Sequence, residues 1–473
     1  MTAAAGLGDA AEVVAPAPAC FRLCSGESWR APWPMYETLR DDDPAHHVED
    51  GDYWVLSRYS DVQAAVLDTG RYSSASGLTV GYDELAAAGL EKAVPLVMLD
   101  PPEHTEFRES IGHSYTPRRV AGIEPTLRRF VRARLDAIAE LGKCDIVAEL
   151  FRPVPSFVVA GYLGVPEADQ ARFDSWTQGI VQATAGDPPA AATAAGLFGY
   201  FADLIEHRRA EPADDAISDL VHLMDGDPAG TLRILGFAFT MIAGGNDTAT
   251  GLLGGAAELL TVNPGQRQLL LDRPDLLPGA IEELLRLTSP VQCLARTLTR
   301  STTVHERVIP RGRKVLLLYG SANRDPRVFG TSAADLDILR GRQIRARHLA
   351  FAVGPHHCLG AAAARLQAAS YSPNCSPASP ASPSTRRQAP LPPGITPAAT
   401  PPSPSPPAGN RDSAGAIRVR LCVGLPTLRN DCECWKTAML PPNNHSRMRA
   451  HRSATTSGSD DRRLLNSPSC PRS

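Results

Sequence analysis

The residue best placed to do chemistry in this chain is Cys358, which lies in a loop bounded by glycines (residues 351–360, FAVGPHHCLG). An alanine-rich helical start follows the loop, so backbone N–H groups and a helix N-terminus should surround the sulfur and favour a thiolate. A thiolate held in this way is a good single ligand for a soft or redox-active metal. Two other interpretations stay open here: a buried free cysteine, and a weaker zinc site with His356 and His357, since adjacent residues rarely converge on one tetrahedral ion.

A second group of polar residues interrupts the longest helical pattern of the chain. Gly244 and Gly245 are followed by Asn246, Asp247 and Thr248. Two glycines in a helix cost about 1 kcal/mol each relative to alanine, and an acid beside a hydroxyl in an apolar helix adds to that cost. The pattern predicts a helix that opens locally to accept a ligand or a water molecule. A flexible or small-residue packing contact is the alternative.

Glu283 and Arg286 form a third pair, three residues apart on one face of a predicted helix. Exposed pairs of this kind are common and contribute little to stability. Taken alone, the pair predicts a solvated surface contact without a chemical role.

These residues need a mostly helical scaffold with a small sheet to position them. Strands are predicted at residues 53–56, 308–309 and 315–318, towards the two ends of the helical region. The predicted fold class is therefore mainly α with a minor β-sheet region. Helices are predicted at residues 29–45, 60–67, 117–140, 167–183, 191–209, 216–224, 228–261 and 275–287, and a further helix opens at Asp100-Pro101-Pro102.

Composition divides the chain into two different kinds of polypeptide. Residues 1–367 hold 25 of the 27 aromatic residues and carry a net charge of −11, whereas residues 368–473 carry +8 and hold 18 of the 42 prolines. The first part has ordinary globular composition, which excludes a chain that is disordered, collagen-like or disulfide-stapled as a whole. Its five cysteines are scattered, and the N-terminus has neither a basic start nor an apolar run. We therefore expect a cytoplasmic protein without a signal peptide or transmembrane helix.

Taken together and in this order, the three motifs resemble those of the cytochrome P450 family of haem-thiolate monooxygenases. The matching patterns are the cysteine loop F-x-x-G-x-H-x-C-x-G, the G-x-x-D-T of the long helix and the E-x-x-R helix. The segments at residues 100–105 and 322–326 look like the soluble bacterial branch. The resemblance spans residues 29–367 and implies the cytochrome P450 fold. One departure is Ala352, which stands where the family usually has glycine; it should stiffen the turn but leave the ligand in place.

The resemblance implies a role for each of these residues. Cys358 would be the axial thiolate ligand of a haem b iron, and Asp247 and Thr248 would steer protons on the distal haem face. The pair in the E-x-x-R helix would join Arg340 in a buried ion network that holds the fold on the cysteine side. This reverses the prediction of a solvated surface contact, which was made from the pair alone. The haem propionates would be bound by His104, Arg108, Arg296 and His356.

The implied activity is insertion of one oxygen atom of dioxygen into a hydrophobic organic substrate, with electrons from NAD(P)H through ferredoxin reductase and ferredoxin. A monomer that binds neither nucleic acid nor membrane is expected. The pocket would be lined by residues 73–98, parts of 167–209, Phe239, 243–244 and 291–294, with Gln292 and Cys293 as polar contacts or as packing. The ferredoxin would dock on basic residues of the cysteine side, namely Arg118, Arg119, Arg128, Arg129, Arg342, Arg345, Arg347 and His348.

The C-terminal part departs from what the resemblance implies. After Arg365 the family continues with an amphipathic helix and a terminal β region, but here the helix should end near Gln367, and a Pro/Ser-rich run follows. We expect three regions: a flexible N-terminus (1–28), a C-terminally incomplete monooxygenase domain (29–367) and a disordered tail (368–473). A shifted reading frame, an altered gene end or a genuine interaction tail would each produce such a sequence. The alternative function is a non-catalytic remnant that binds haem poorly, and a haem sensor is a weaker alternative.

Overall fold

Helices form most of the structure. The computed structural model describes residue 21 and residues 31–84, 94–112, 115–141, 144–182, 188–345 and 347–371. The longest helix has 33 residues. In chain order the helices are α1 (Trp33–Asp42), α2 (Tyr59–Leu67), α3 (Glu103–Gly112), α4 (Pro117–Leu141), α5 (Pro153–Leu163), α6 (Gln170–Gln182), α7 (Pro188–Ala210), α8 (Ala216–Leu223), α9 (Gly230–Val262), α10 (Pro264–Asp272), α11 (Leu277–Thr288), α12 (Tyr319–Ala322), α13 (Pro326–Phe329), α14 (Gly341–Ile344) and α15 (Ala361–Ser370).

Five of the strands form one sheet beside the helices. Its order is β1-β2-β7-β4-β3, in which β2 and β7 run parallel and the other neighbours are antiparallel. Strands β5 and β6 form a separate hairpin. The sheet therefore joins the start of the chain to the segment that follows α11. The strands are β1 (Ala45–Val48), β2 (Tyr53–Leu56), β3 (Tyr72–Ser73), β4 (Cys293–Leu298), β5 (Thr302–Val304), β6 (Arg307–Ile309) and β7 (Lys314–Leu318).

The hydrophobic core has a helical part and a sheet part. In the helical part, Phe237 and Ile242 of α9 are buried with Val158 of α5. In the sheet part, Leu56 of β2 and Leu317 of β7 are fully buried. Burial of each such side chain contributes about 1.5–3 kcal/mol to the free energy of folding relative to an exposed position. The long helix α9 is therefore held by several buried side chains.

The fold class predicted from the sequence is confirmed, and the predicted helices and strands are present with shifted ends. The patterns do not predict α5, α10, the short helices α12, α13 and α14, or strands β1, β3, β4 and β5. Helix α5 is apolar and buried on nearly all sides, so it has no alternation of polar and apolar faces to reveal it. Strand β4 is stabilised by its pairing with β3 and β7. The sequence of β4 alone does not predict this pairing.

The end of the described chain differs from the prediction. Helix α15 continues past Gln367 to Ser370, and both of these side chains are buried. The Tyr371 ring lies against Phe151, with 5.8 Å between the ring centroids. Residues 368–371 therefore belong to the folded part. The rest of the predicted tail, and most of the predicted flexible N-terminus, lie outside the described residues. None of the described helices has the length and apolarity needed to cross a membrane.

Candidate functional site

The loop that carries Cys358 is held by its own backbone. The Cys358 N–H donates to the Phe351 carbonyl oxygen at 2.9 Å, which closes the loop, and a short helical turn spans Gly354–His356. Ala352 has a φ of +52°, in the left-handed region that favours glycine. An ordinary residue in that conformation costs about 1–2 kcal/mol, so Ala352 places backbone strain in a turn that the sequence predicted only to be stiffer.

The electrostatic surroundings of Cys358 only partly match the sequence prediction. Burial raises the pKa of the Cys358 thiol, whereas a hydrogen bond from the Gly360 backbone and the charges of Arg108 and Arg365 act in the opposite direction. The donors therefore act in the direction that the sequence predicts, and desolvation by the surrounding protein opposes them. The side chain is nevertheless accessible, and a metal that binds a thiol deprotonates it by its own charge.

Four basic side chains from three parts of the chain meet beside this loop. The rings of His104 (α3) and His356 lie 4.1 Å apart, and His104 and Arg296 (β4) are both almost completely buried. Arg108, one turn after His104, donates to the His357 carbonyl oxygen at 2.5 Å. Burial, followed by the charges of Arg296, His104 and Arg108, lowers the pKa of His356 to about 3. The basic groups thus disfavour one another's charge, as expected of a site built around an anion.

The two adjacent glycines of the motif in α9, Gly244 and Gly245, have different surroundings. A Cβ on Gly245 would lie 2.9 Å from Val159 Cγ2, so this glycine lets α9 approach α5 closely. A Cβ on Gly244 would meet nothing within 4 Å. Gly245 therefore matches the packing alternative, whereas Gly244 leaves open space next to Asp247 and Thr248 of the same helix.

The polar residues of α9 do not break the helix, contrary to the predicted local opening. The Thr248 hydroxyl donates to the Gly244 carbonyl oxygen at 2.8 Å, and Asn246 donates to the Ile242 carbonyl oxygen at 2.7 Å. The Asp247 side chain is accessible but surrounded by protein, and desolvation raises its pKa to about 6 although the Arg152 charge opposes the shift. A carboxyl with this pKa exchanges protons near neutral pH.

Comparison with known proteins decides the family. The model of the cytochrome P450 family matches residues 258–370. Cytochrome P450 130 of Mycobacterium tuberculosis is 56% identical over 359 residues, which are 73% of this chain and 88% of that protein. The chain belongs to the cytochrome P450 family.

Two further relatives agree with this assignment. The vitamin D(3) 25-hydroxylase of Pseudonocardia autotrophica is 34% identical over 350 residues, covering 73% of this chain and 85% of that protein. The solved structure of the P450 CYP109E1 from Bacillus megaterium in complex with testosterone has a TM-score of 0.62 and 30% identity, covering 72% of this chain and 88% of that one. By family, this P450 is a haem-dependent monooxygenase and thus an oxidoreductase.

The residues of this P450 fit a haem. The buried Nδ1 of His104 has no hydrogen-bond partner among the described residues, although it lies in the basic cluster. An anionic propionate would satisfy such a donor and relieve the repulsion between Arg296, Arg108 and the histidines. Cys358 would supply the soft sulfur ligand that this family uses for iron. In contrast, within the described ranges no three His, Cys, Asp or Glu side chains could hold a metal ion, so the zinc alternative has no site.

The Glu283–Arg286 pair is not a surface contact. Both side chains are completely buried, and the guanidinium binds the carboxylate through two hydrogen bonds of 2.7 and 2.8 Å. Arg340 also donates to Glu283 at 2.8 Å, and Arg286 donates to the Asn323 and Ala333 carbonyl oxygens. The network implied by the resemblance is thus present, and it ties α11 to the segment that leads into the cysteine loop.

A second buried acid next to this pair was missed by the sequence analysis. Glu282 accepts hydrogen bonds from His348 and from Arg365, which lie on either side of the cysteine loop. His348 is therefore buried, so its predicted place on the ferredoxin-docking surface is wrong. Adjacent acids in E-E-x-x-R are the available signal, because two consecutive carboxylates on a buried helix each require a basic partner.

The other basic residues of the predicted docking surface divide into two groups. Arg119 is paired with Asp214 and Asp219, and Arg128 is paired with Glu124. The exposed members are Arg118, Arg129, Arg342, Arg345 and Arg347. Two of these also have acidic neighbours, because Arg342 lies 3.8 Å from Asp275 and Arg345 lies 3.9 Å from Glu282.

The two polar candidates of the pocket wall differ in their contacts. The Gln292 amide donates to the Thr288 and Ser289 carbonyl oxygens at the end of α11 and accepts from the Tyr36 hydroxyl. Gln292 therefore matches the packing alternative. Cys293 is a half-buried free cysteine at the start of β4. Phe239, the predicted apolar wall residue on α9, stacks on Phe198 of α7 at 5.9 Å between ring centroids.

Proposed function

We propose that Cys358 is the only protein ligand of the haem iron in this P450 and that His104, Arg108, Arg296 and His356 bind the haem propionates. The observation that carries the proposal is the convergence of these basic side chains next to an accessible cysteine, with the buried Nδ1 of His104 left for an external partner. Charge-assisted hydrogen bonds from buried donors would fix the orientation of the haem.

When bound, the haem supplies the oxidation chemistry, in which one atom of dioxygen is inserted into an organic substrate. The proposed role of Asp247 is to pass protons inward, since its pKa of about 6 allows the carboxyl to take and release a proton near neutral pH. Thr248 would hold the proton at its hydroxyl. In the structure this hydroxyl donates to the Gly244 carbonyl oxygen. Their shared position beside the open space at Gly244 supports these roles.

The proposed substrate is a hydrophobic organic molecule. The stacked rings of Phe198 and Phe239 supply an apolar surface near the middle of α9. The names of the relatives agree with this class, because vitamin D(3) and testosterone are both largely apolar. Gln292 is engaged with the backbone and is therefore not proposed as a substrate contact.

The proposed electron source is NAD(P)H, through ferredoxin reductase and ferredoxin. An acidic ferredoxin would be attracted by the exposed arginines before the cysteine loop, Arg342, Arg345 and Arg347. We also propose that the protein is a cytoplasmic monomer. Its monooxygenase domain, predicted to span residues 29–367, would extend to Tyr371 because of the contacts of α15. The remnant alternative finds no support in the comparisons.

The test is the replacement Cys358→Ala. We expect it to abolish the thiolate-type absorbance of the reduced, carbon monoxide-bound protein, because it removes the sulfur that we propose binds the iron. Cys144→Ala is the matched control, since Cys144 is a half-buried free cysteine outside the site. Retention of the wild-type spectrum by Cys358→Ala would refute the proposal.

A further inference from the structure

One buried carboxylate holds both flanks of the cysteine loop. Glu282 of α11 accepts from Arg365 Nε at 2.7 Å and from Arg365 Nη2 at 3.0 Å, and Arg365 lies on α15, after the loop. The same carboxylate contacts His348 Nε2 at 2.8 Å, before the loop. His348 Nδ1 accepts from the Ala350 N–H, so Nε2 carries the proton that is donated to Glu282.

Phe351 connects this cluster to Cys358. The Arg365 guanidinium lies 4.7 Å from the centre of the Phe351 ring, and the His348 ring centroid is 6.0 Å away. The ring is therefore packed by the two side chains that Glu282 holds. The backbone of Phe351 in turn accepts the Cys358 N–H at 2.9 Å. Movement of Glu282 would thus be transmitted to the position of the sulfur.

The cluster also acts on the sulfur by its charge. Burial alone would raise the pKa of Glu282, but the hydrogen bonds from His348 and Arg365 outweigh it and lower the pKa to about 2. Glu282 is therefore ionised and compensates the charge of Arg365. The Arg365 guanidinium lies against the ring of Phe351, whose carbonyl oxygen accepts the Cys358 N–H, so its charge is close to the sulfur.

We propose that Glu282 is a positioning residue for Cys358: it fixes the cysteine loop through Arg365 and His348 and sets how much of the Arg365 charge reaches the sulfur. This inference rests on the proposed role of Cys358 as the iron ligand. The Glu283–Arg286 network reaches the loop separately, through Asn323, whose side chain accepts the Leu349 N–H at 2.6 Å. Glu282 is the acid whose basic partners lie on both flanks of the loop.

The test is Glu282→Gln in the haem-loaded protein, with the midpoint potential of the haem as the readout. Without the carboxylate, the Arg365 charge is uncompensated and favours the electron-rich reduced state. We expect the equilibrium constant for reduction to rise about tenfold, which is about 59 mV for one electron, and part of the thiolate-type absorbance of the reduced carbon monoxide complex to be lost. The double variant Glu282→Gln/Arg365→Gln should return the potential towards the wild-type value.

The matched control is Asp215→Asn, which removes a buried carboxylate paired with Arg208 at 2.6 Å, away from the cysteine loop. It should lower stability without shifting the potential. Glu282→Gln with an unchanged potential and spectrum would overturn the proposal, since a merely structural acid predicts that result. A wild-type protein without thiolate-type absorbance would instead contradict the proposed function, and this inference with it.

A second variant decides the matter if Glu282→Gln yields no haem-loaded protein. Arg365→Lys keeps the charge but gives up the two-point contact with Glu282. In the haem-free protein we expect the Cys358 amide hydrogen to exchange at least several-fold faster than in the wild type, because the loop loses one of its two held flanks. Unchanged exchange in Arg365→Lys would overturn the proposal.

Discussion

Thr248 is engaged with its own helix before any reaction occurs, since its hydroxyl donates to the Gly244 carbonyl oxygen at 2.8 Å. Thr240 makes the same bond to Gly236 two turns earlier. A hydroxyl bound in this way still has lone pairs with which to accept a proton donor. The role of Thr248 therefore depends on its place beside Asp247 and Gly244, not on its local bond.

We predict that Thr248→Ala uncouples oxygen consumption from product formation. Peroxide should rise at the expense of oxidised substrate, because the hydroxyl that holds the proton is lost. The ratio of product to oxygen consumed is the measurement. Thr240→Ala removes an equivalent hydroxyl from the same helix and should leave that ratio unchanged. Equal ratios in both variants would show that the Thr248 hydroxyl serves only its hydrogen bond to the Gly244 carbonyl oxygen.

The raised pKa of Asp247 makes the stability of the fold depend on pH. Its pKa is raised from 3.8 to about 6 by burial, so the fold favours the protonated carboxyl. Below about pH 4 the group is protonated in both folded and unfolded chains, and it has no effect on stability. As the pH rises towards 6 and beyond, the folded protein must hold a carboxylate that the surrounding protein desolvates, and stability falls.

We therefore predict that Asp247→Asn raises the stability of the protein above pH 6 and has little effect near pH 4. Thermal unfolding of the variant and the wild type across this range is the measurement. Glu258→Gln changes an exposed carboxylate of the same helix and serves as the control. If the difference in stability between Asp247→Asn and the wild type does not grow with pH, the raised pKa of Asp247 is contradicted.

At the scale of elements, the close approach of α9 to α5 depends on one glycine of a neighbouring pair. A Cβ on Gly245 would come within 2.9 Å of Val159 Cγ2, whereas a Cβ on Gly244 would meet nothing within 4 Å. The two positions share the same helix and the same intrinsic propensity. Only the neighbouring helix distinguishes them.

We predict that Gly245→Ala and Gly244→Ala change the free energy of unfolding in opposite directions. Gly244→Ala should stabilise the haem-free protein by up to about 1 kcal/mol through helix propensity. Gly245→Ala should lose that gain and destabilise by about 1–3 kcal/mol through overpacking against Val159. Denaturant unfolding of the two haem-free variants is the measurement, and equal effects would show that α9 and α5 adjust freely.

The molecule as a whole presents an asymmetric charge distribution. Residues 1–367 carry a net charge of −11, yet Arg342, Arg345 and Arg347 are exposed within a few residues of one another before the cysteine loop. Electrostatic attraction to an acidic partner acts mainly on the rate of association and weakens as salt screens it.

We predict that Arg347→Glu slows electron transfer from an acidic ferredoxin and makes the rate less dependent on salt. Stopped-flow reduction at several ionic strengths is the measurement. Arg311→Glu makes the same charge change at another exposed arginine, in the turn between β6 and β7, and should have a smaller effect. Equal slowing by both variants would indicate an effect of net charge without a docking surface.

Residue types and their spacing were enough to predict the family, the fold class and the residues expected around the haem. Motif residues such as Cys358, Asp247 and Thr248 could be recognised because their chemistry requires those residue types at short, fixed spacings. The predicted helices are present because alternating polar and apolar faces follow from local periodicity. The apolar helix α5 lacks that signal and was missed.

Which charges are buried and which are exposed could be seen only in the folded chain. Glu283 and Arg286 form a solvated pair when judged by spacing alone, but they are completely buried because Arg340 and distant carbonyl groups surround them. His348 belongs to the same basic run as Arg347, yet it is removed from the surface by Glu282, 66 residues earlier in the chain. Burial and pairing are set by contacts between distant segments, and local sequence carries no direct record of them.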